Sequence, residues 1–442
     1  MGLFDKIFGT NKTKPENSIP NNITFGRYSD NNKSLAKTNK WFDAEQNFKD
    51  KNYQKYFIDF FDYLKDDRID NVKFEDKSFN DKTFQIYQGS IIVEGQINET
   101  KIIAKVAMAS MEQLSIPVMR RLLEMNFSLY YTRFAIDGQH LYILFDGEIE
   151  NTGPSKFYYA LKEMATTADK QDDVLSNEFK TVKQINQSLI IPFADDEKEI
   201  KYTYFKKWIE ETLQQIKSLN QDSFSGAIAY MLLCLIYKID YLIVPEGKLL
   251  IQIEDINHTY WSNNENKTAV DRNQAMIESF QKLLTWNKED ILNCFYRTKS
   301  TFAITKPEPY ETIINSINDA QKNMLWYRDN KYTDIAIQVM EYSISYCQYS
   351  YSMPLPFSQL VQLYMQINNA DFFKDLGFSE IYFENGKLKF QEIKNKIDKI
   401  IYDGKEKYPS LAMSTATLSF TSLLDFNTTF IREFQNLNFD KK

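Results

Sequence analysis

The stretch Tyr130–Gly147, with the sequence YYTRFAIDGQHLYILFDG, holds two alternating apolar runs on either side of Asp137-Gly138. An Asp-Gly pair favours the positive backbone angles of a two-residue turn between antiparallel strands. The stretch therefore predicts a β-hairpin and an antiparallel sheet to which that hairpin belongs.

Apolar patterns upstream of the hairpin extend this prediction. Helical spacing predicts one helix over Trp41–Leu64, with an apolar stripe of Phe48, Phe57, Phe60, Phe61 and Leu64. Alternation predicts three strands, of which the last two are joined by a turn at Asn98 and Glu99. The predicted strands are Thr83–Tyr87, Ser90–Ile97 and Lys101–Ala109.

Two further helices are expected around the hairpin. Ser115 followed by Pro117 predicts a helix start, because the missing N–H of proline has no helical partner at that position. The buried side of this helix is marked by Val118, Leu122 and Met125, and Asn126 is expected as a left-handed cap. The second helix is predicted over Pro154–Leu175. The expected order is helix, three strands, helix, two strands, helix.

Several residues in this order match a known family. They are Ile116-Pro117, Leu122-Leu123, Asn126, Arg133-Phe134, Asp137-Gly138, Leu141, the helix PSKFYYALKEMA and Ala168-Asp169. Residues 41–179 thereby resemble the YbjN and type III secretion chaperone-like domain family. The resemblance implies a twisted antiparallel sheet with packed helices, in a family whose members bind protein segments or form dimers. It carries no catalytic group.

The N-terminal forty residues differ in composition from the rest. Residues 1–9 predict a short amphipathic helix with Leu3, Phe4, Ile7 and Phe8 on one side. Residues 10–40 are rich in Asn, Lys, Ser and Pro, which is typical of a flexible leader. The start of the sequence lacks the apolar core of a signal peptide, and we expect a cytoplasmic protein.

Residues 180–442 predict an α-rich region with small hairpins, which divides into two subdomains in one interpretation. Turn pairs predict hairpins at Glu246-Gly247 and at Asn385-Gly386. The apolar segment Ala227–Val244 contains Lys238 and Asp240, so we interpret it as a buried helix that runs into a strand. Helices are predicted at Glu199–Leu219, Phe224–Ile239, Asp271–Leu284, Tyr310–Tyr327, Thr333–Cys347, Phe357–Ile367 and Leu418–Phe434. The whole chain is therefore predicted to be α+β, an antiparallel sheet with helices followed by a mainly helical region.

The residues that usually perform catalysis are scarce. The chain has 2 His, 13 Gly and 3 Cys, and it lacks phosphate-loop, zinc-protease and nucleophile-elbow motifs. Cys234, Cys294 and Cys347 are expected to be reduced and buried. The ligand-like cluster Glu254, Asp255 and His258 is expected in a solvated loop, and His140 at the start of a hairpin strand. We predict no catalytic residue, no metal and no cofactor.

Two kinds of side-chain pattern admit a second interpretation. Asp66-Asp67, Asp172-Asp173 and Asp195-Asp196-Glu197 are interpreted as solvated acidic turns, with a catalytic carboxylate pair as the alternative. The tyrosines of YSISYCQYSYSMP, namely Tyr342, Tyr346, Tyr349 and Tyr351, fit a half-buried helix face, with a protein-binding groove as the alternative.

Composition narrows the functions that fit this fold. The 53 Lys and Arg against 60 Asp and Glu give a net charge of −7, which opposes binding to nucleic acid. We expect a protein-binding adaptor or chaperone-like scaffold in a larger bacterial assembly or secretion-related system, with homodimer formation open. The alternatives are a peripheral protein that docks through its N-terminal helix on a membrane or an assembly, and an enzyme with an unrecognised carboxylate site.

The N-terminal segment generates the first testable prediction. A helix this short is marginal in water and orders only against a surface. Phe4→Asp combined with Phe8→Asp should abolish recruitment to liposomes or to a partner, and should leave the melting temperature unchanged. A lower melting temperature would instead favour packing of Leu3, Phe4, Ile7 and Phe8 on the protein itself.

Overall fold

Antiparallel strands alternate with helices through the first half of the chain. The structure, a computed structural model, describes residues 23–26, 33–67, 69–78, 81–113, 115–185, 187–262, 267–298, 302 and 309–440. The helix predicted over residues 1–9, with Leu3, Phe4, Ile7 and Phe8, lies outside these described residues. The first elements are α1 (Leu35–Lys49), α2 (Tyr53–Leu64), β1 (Val72–Ser78), β2 (Asp81–Gln88), β3 (Ile91–Ile97), β4 (Lys101–Met111), α3 (Ile116–Asn126), β5 (Arg133–Asp137), β6 (His140–Glu148), α4 (Pro154–Glu178) and β7 (Val182–Gln184).

The strands form one antiparallel sheet in the order β1-β2-β3-β4-β6-β5, and β7 pairs with the end of β4. Alternate side chains along β2, β3, β4 and β6 are buried on the face that the helices cover. On that face, the ring of Phe84 in β2 lies 5.0 Å from the ring of Phe61 in α2 and 5.7 Å from that of Phe157 in α4. The predicted α+β class is confirmed.

The hairpin that anchors the sequence prediction is confirmed as β5–β6, with a turn shifted by one residue. Asp137 is paired with His140, so the two turn residues are Gly138 and Gln139. Gly138 has a φ of +58°, which a glycine adopts without strain.

Three predictions for the first half are wrong in detail. The single helix over Trp41–Leu64 is two helices, and the first begins at Leu35, inside the predicted leader; the break falls at Lys51, whose φ is +57°. Strand β1 was not predicted, because five of its seven residues are polar or charged. Asn126 is not left-handed; its side-chain Oδ1 accepts a hydrogen bond from the Phe134 backbone N–H at 2.7 Å.

The second half of the chain is mainly helical. Its described strands form two small sheets, β8 with β9 and β10 with β11. The elements are β8 (Ile190–Pro192), α5 (Asp195–Lys217), α6 (Ser225–Lys238), α7 (Gly247–Trp261), α8 (Ala269–Leu284), α9 (Lys288–Leu292), β9 (Tyr296–Thr298), α10 (Tyr310–Asp329), α11 (Thr333–Ser350), α12 (Leu355–Asn368), α13 (Ala370–Asp375), β10 (Phe383–Glu384), β11 (Lys387–Leu388), α14 (Phe390–Gly404) and α15 (Leu423–Glu433).

The two hairpins predicted in this half have opposite outcomes. The Asn385-Gly386 hairpin is confirmed, with φ values of +51° and +73° between β10 and β11. The hairpin at Glu246-Gly247 is wrong, because Gly247 begins helix α7 and Glu246 precedes it as the N-cap.

Helix α6 does not run into a strand, as the sequence predicted. It continues into a π-helical turn, Ile239–Ile243, which ends at Val244 with a φ of +55°. Ser225–Ile243 is long and apolar enough to cross a membrane by composition, but 83% of its apolar window is buried inside the protein. Lys238 in this segment pairs with Glu341 of α11 at 2.9 Å.

Among the described residues, buried apolar side chains form two clusters, and each cluster includes one residue from the other half of the chain. The first cluster, around the sheet, includes Phe302, whose sequence neighbourhood otherwise belongs to the second half. The second cluster, around α6 and α11, includes Ile23 from the start of the described chain. The Phe302 N–H donates to Gln88 Oε1 at 2.8 Å, and the Gly26 N–H donates to the Tyr241 carbonyl at 2.8 Å. Gly26 and Ile23 of the first half therefore pack in the second half, and Phe302 of the second half packs in the first.

Two glycines with similar backbone angles provide a test of the close contact between α4 and the β2–β3 turn. Gly89 and Gly138 have φ values of +54° and +58°. An added Cβ at Gly89 would lie 1.8 Å from Asp169 Oδ1, whereas at Gly138 it would meet no atom within 4 Å. Gly138→Ala should cost about 1 kcal/mol through backbone strain, and Gly89→Ala about 2–4 kcal/mol through strain and overpacking. Urea unfolding measures both, and equal losses would contradict the close contact.

Candidate functional site

Three of the residues on which the family resemblance is based contribute to the fold. Pro117 lies in the first turn of α3, while Leu122 and Phe134 are buried in the first cluster. The three cysteines are free and buried. Burial raises the pKa of the Cys294 thiol to about 11 and also raises the pKa values of the Cys234 and Cys347 thiols, so burial opposes thiolate formation.

The segment that contains Glu254, Asp255 and His258 is helical and not a solvated loop. It forms the second half of α7, and all three side chains line one open groove of about 500 Å³. Glu254 is paired with Lys170 of α4. Within the described part of the chain, no group of three or more His, Cys, Asp or Glu residues is arranged to hold a metal ion.

The opposite side of this groove is formed by part of the tyrosine-rich run. Tyr346 and Tyr349 of α11 line it together with Tyr237 of α6 and Trp261 of α7. The rings are close, with centroid distances of 5.0 Å between Tyr237 and Tyr349 and 6.2 Å between Trp261 and Tyr346. The tyrosines are half-buried, as one sequence interpretation expected, and two of them also border a groove.

Asp172 is buried and Asp173 is half-buried, and both lie within helix α4, so the interpretation of this pair as a solvated turn is wrong. Ser90 Oγ lies 2.6 Å from Asp172 Oδ2 and 3.2 Å from Asp169 Oδ1. Burial, and then the charge of Asp173, raise the pKa of Asp172 well above its usual value. Burial also raises the pKa of Asp173, whose carboxylate accepts a hydrogen bond from Tyr296 Oη at 2.9 Å. Through these hydrogen bonds, the carboxylates connect α4 to the β2–β3 turn and to β9.

The other acidic clusters differ from one another. Asp67, in the Asp66-Asp67 pair, and Asp195 and Asp196 are exposed, as expected. Glu197 is buried and contacts Lys201 Nζ at 3.2 Å and Arg297 Nη2 at 2.7 Å. Burial lowers the pKa of Lys201 to about 8, and its ammonium group donates to the Ile243 carbonyl at 3.0 Å. This ion cluster joins α5 to the π-helical turn and to β9.

Helix α3 has apolar residues on two opposite sides. Val118, Leu122 and Met125 are buried against the sheet. Ile116, Leu123 and Phe127, spaced at helical intervals on the other side, are 67%, 65% and 94% exposed. The outer side of a surface helix normally carries polar residues, so three large exposed apolar side chains on this side of α3 are unusual.

The loop after α3 carries two more exposed aromatic side chains. Tyr130 and Tyr131 are 89% and 42% exposed. Their backbone is fixed, because the Glu163 carboxylate of α4 accepts hydrogen bonds from the N–H groups of Tyr130, Tyr131 and Thr132 at 2.7, 2.9 and 3.0 Å. We define the α3 surface as Ile116, Leu123, Phe127, Tyr130 and Tyr131. It presents large apolar side chains from a fixed backbone.

Comparison of the chain with protein-family models, curated proteins and solved structures gives no match. The resemblance to the YbjN and type III secretion chaperone-like family therefore stays a prediction. The function has to be argued from the α3 surface and the groove.

Sequence reasoning missed the α3 surface although its signal was present. The residues Ile116, Leu123 and Phe127 repeat at intervals of seven and four, which places them on one side of a helix opposite Val118, Leu122 and Met125. Apolar residues on both sides of one helix are the sequence pattern from which this surface could have been predicted. The sequence indicated two parts of the groove separately, the ligand-like cluster and the tyrosine-rich run, but not that they meet, because the lining comes from four helices that are far apart in sequence.

The buried Asp172 carboxyl gives a pH-dependent prediction. Because its folded-state pKa is raised, the proton stabilises the fold at low pH, and this stabilisation is lost as the pH rises through the folded-state pKa. Asp172→Asn keeps the shape of the protonated group and should stabilise the protein at pH 7 by on the order of 1 kcal/mol or more. The gain should shrink towards pH 4. Chemical unfolding across this range measures it.

A matched control is Asp222→Asn, which removes an exposed carboxylate. This variant should show no pH-dependent gain relative to the unmodified chain. A loss of stability for Asp172→Asn at pH 7 would contradict the raised folded-state pKa of Asp172.

Proposed function

We propose that the chain is a non-catalytic protein-binding adaptor or chaperone-like scaffold, which acts in a larger bacterial assembly or secretion-related system. The observation that carries this proposal is the α3 surface. Its five large side chains are exposed, and four of them, Ile116, Leu123, Phe127 and Tyr130, have exposed fractions of 65% or more. Exposed aromatic anchors are typical of protein interfaces.

The fixed backbone of the α3 surface supports binding to a partner. Side chains on an ordered backbone lose less conformational entropy when they bind than those on a mobile loop. Glu163 provides this order, and Thr132 adds a hydrogen bond from its Oγ1 to the same carboxylate at 2.8 Å. The chemistry of the α3 surface suits an apolar helix face or an extended apolar segment of another protein.

The function proposal predicts a loss of partner binding without a loss of stability. Leu123→Ser combined with Phe127→Ser should reduce partner recovery in a native pull-down by about tenfold or more, since interface anchors typically contribute at least 1–2 kcal/mol each. Both side chains are exposed, so the melting temperature should be unchanged. Quantitative mass spectrometry of the bound fraction measures the effect.

The matched control is Tyr402→Ser on α14, where the replaced ring is 79% exposed and lies outside the α3 surface. This control should recover partners as well as the unmodified chain. Equal recovery by the control and the double variant would contradict the proposal. Glu163→Gln should give an intermediate loss, because it weakens the fixed loop and leaves the apolar side chains in place.

A further inference from the structure

The groove between α7 and α11 has a chemistry different from that of the α3 surface. We propose that it binds the cationic side chain of an arginine or lysine residue from a partner polypeptide. The polypeptide source rests on the proposed function, whereas the preference for a cation is argued from the groove alone.

Trp261 is the most exposed of the aromatic residues that line the groove. Trp261 is 49% exposed. Its indole N–H is already used, since it lies 3.1 Å from Asn257 Oδ1 and 3.2 Å from Tyr237 Oη. The Tyr237 hydroxyl in turn donates to Asn257 Oδ1 at 2.9 Å. What Trp261 presents to a ligand is therefore the ring itself, and the faces of Trp and Tyr rings attract cations.

The charges of the groove favour the same kind of ligand. Two carboxylates, Glu254 and Asp255, line it together with one ammonium group, that of Lys170, and the imidazole of His258. The chain as a whole carries a formal net charge of −7, which attracts cations and repels anions over longer distances. An anionic ligand would meet both local and overall repulsion.

Lys170 shows how a cation fits in this groove. Its ammonium group is paired with Glu254, and both side chains are partly exposed, at 44% and 35%. An incoming guanidinium or ammonium group has two carboxylates within the same lining, one of which Lys170 occupies. Lys170 is therefore a resident competitor, and its removal should strengthen the binding of an external cation.

A neutral ligand that stacks on the rings, such as a sugar, is the main chemical alternative. Stacking alone needs no charge, and arginine and citrulline have nearly the same shape, so a comparison of the two separates the possibilities. Charge recognition predicts a strong preference for arginine, while stacking predicts equal binding.

The experiment uses the full chain labelled with 5-fluorotryptophan, with the Trp261 signal assigned by Trp261→Phe. Titration with N-acetylarginine methylamide should shift the Trp261 ¹⁹F signal saturably, with millimolar affinity. The citrulline analogue should bind about fivefold more weakly or worse. Equal binding of the two, or no shift of the Trp261 signal with either, would overturn the proposal. Binding of free arginine without binding of the capped form would overturn the polypeptide source.

Variants with opposite expected signs test the positions of the charges. Glu254→Gln should weaken arginine binding about fivefold, and Lys170→Met should strengthen it by a similar factor. Asp403→Asn removes a carboxylate that does not line the groove and should leave binding unchanged. Changes of the same sign in Glu254→Gln and Lys170→Met would point to a structural effect and overturn the competitor role. Persistence of the α3-dependent pull-down in Glu254→Gln would separate a failure here from a failure of the proposed function.

Discussion

Helix α4 makes the contacts on which the rest of the structure depends. Its apolar side packs on the sheet, and its polar side chains each hold a different element. Glu163 fixes the loop after α3, Asp169 accepts from the Ser90 N–H at 2.8 Å, and Lys170 pairs with α7. Asp173 holds Tyr296 of β9. One helix therefore connects the α3 surface, the sheet and the groove, although this arrangement places carboxylates where burial disfavours their charge.

Local chemistry explains which parts of the fold were predictable. The hairpins at Gly138 and at Asn385-Gly386 were predicted because glycine and asparagine adopt positive φ at low cost, whatever surrounds them. Glu246-Gly247 carried a similar turn signal and was misread. Gly247 also has a positive φ, of +57°, but it lies against Asp173 of α4 and opens a helix. The outcome there was decided by tertiary packing and not by the local pair.

The two candidate sites also differ in how far they could be predicted from the sequence. The α3 surface lies on one helix and its loop, so its spacing was readable in the sequence. The groove joins Trp261 and Tyr346, which come together only because α7 and α11 both pack near α6. Burial of Asp172 was equally unreadable, since it depends on the backbone of Gly89 and Ser90 approaching α4. Polar residues in adjacent positions are usually solvated, and the exceptions are set by distant partners.

The reciprocal placement of Ile23 and Phe302 has a consequence for synthesis of the chain. The ribosome completes the sheet and α4 well before it reaches Phe302, whose N–H pairs with Gln88 and whose ring lies 5.9 Å from that of Tyr158. At about 5–20 residues per second, this delay is on the order of ten seconds. During that time the first cluster lacks Phe302, and the second cluster, to which Ile23 belongs, has not yet formed. The nascent chain therefore passes through a stage in which both halves expose apolar surface, and during which the two ends of the fold remain accessible to chaperones.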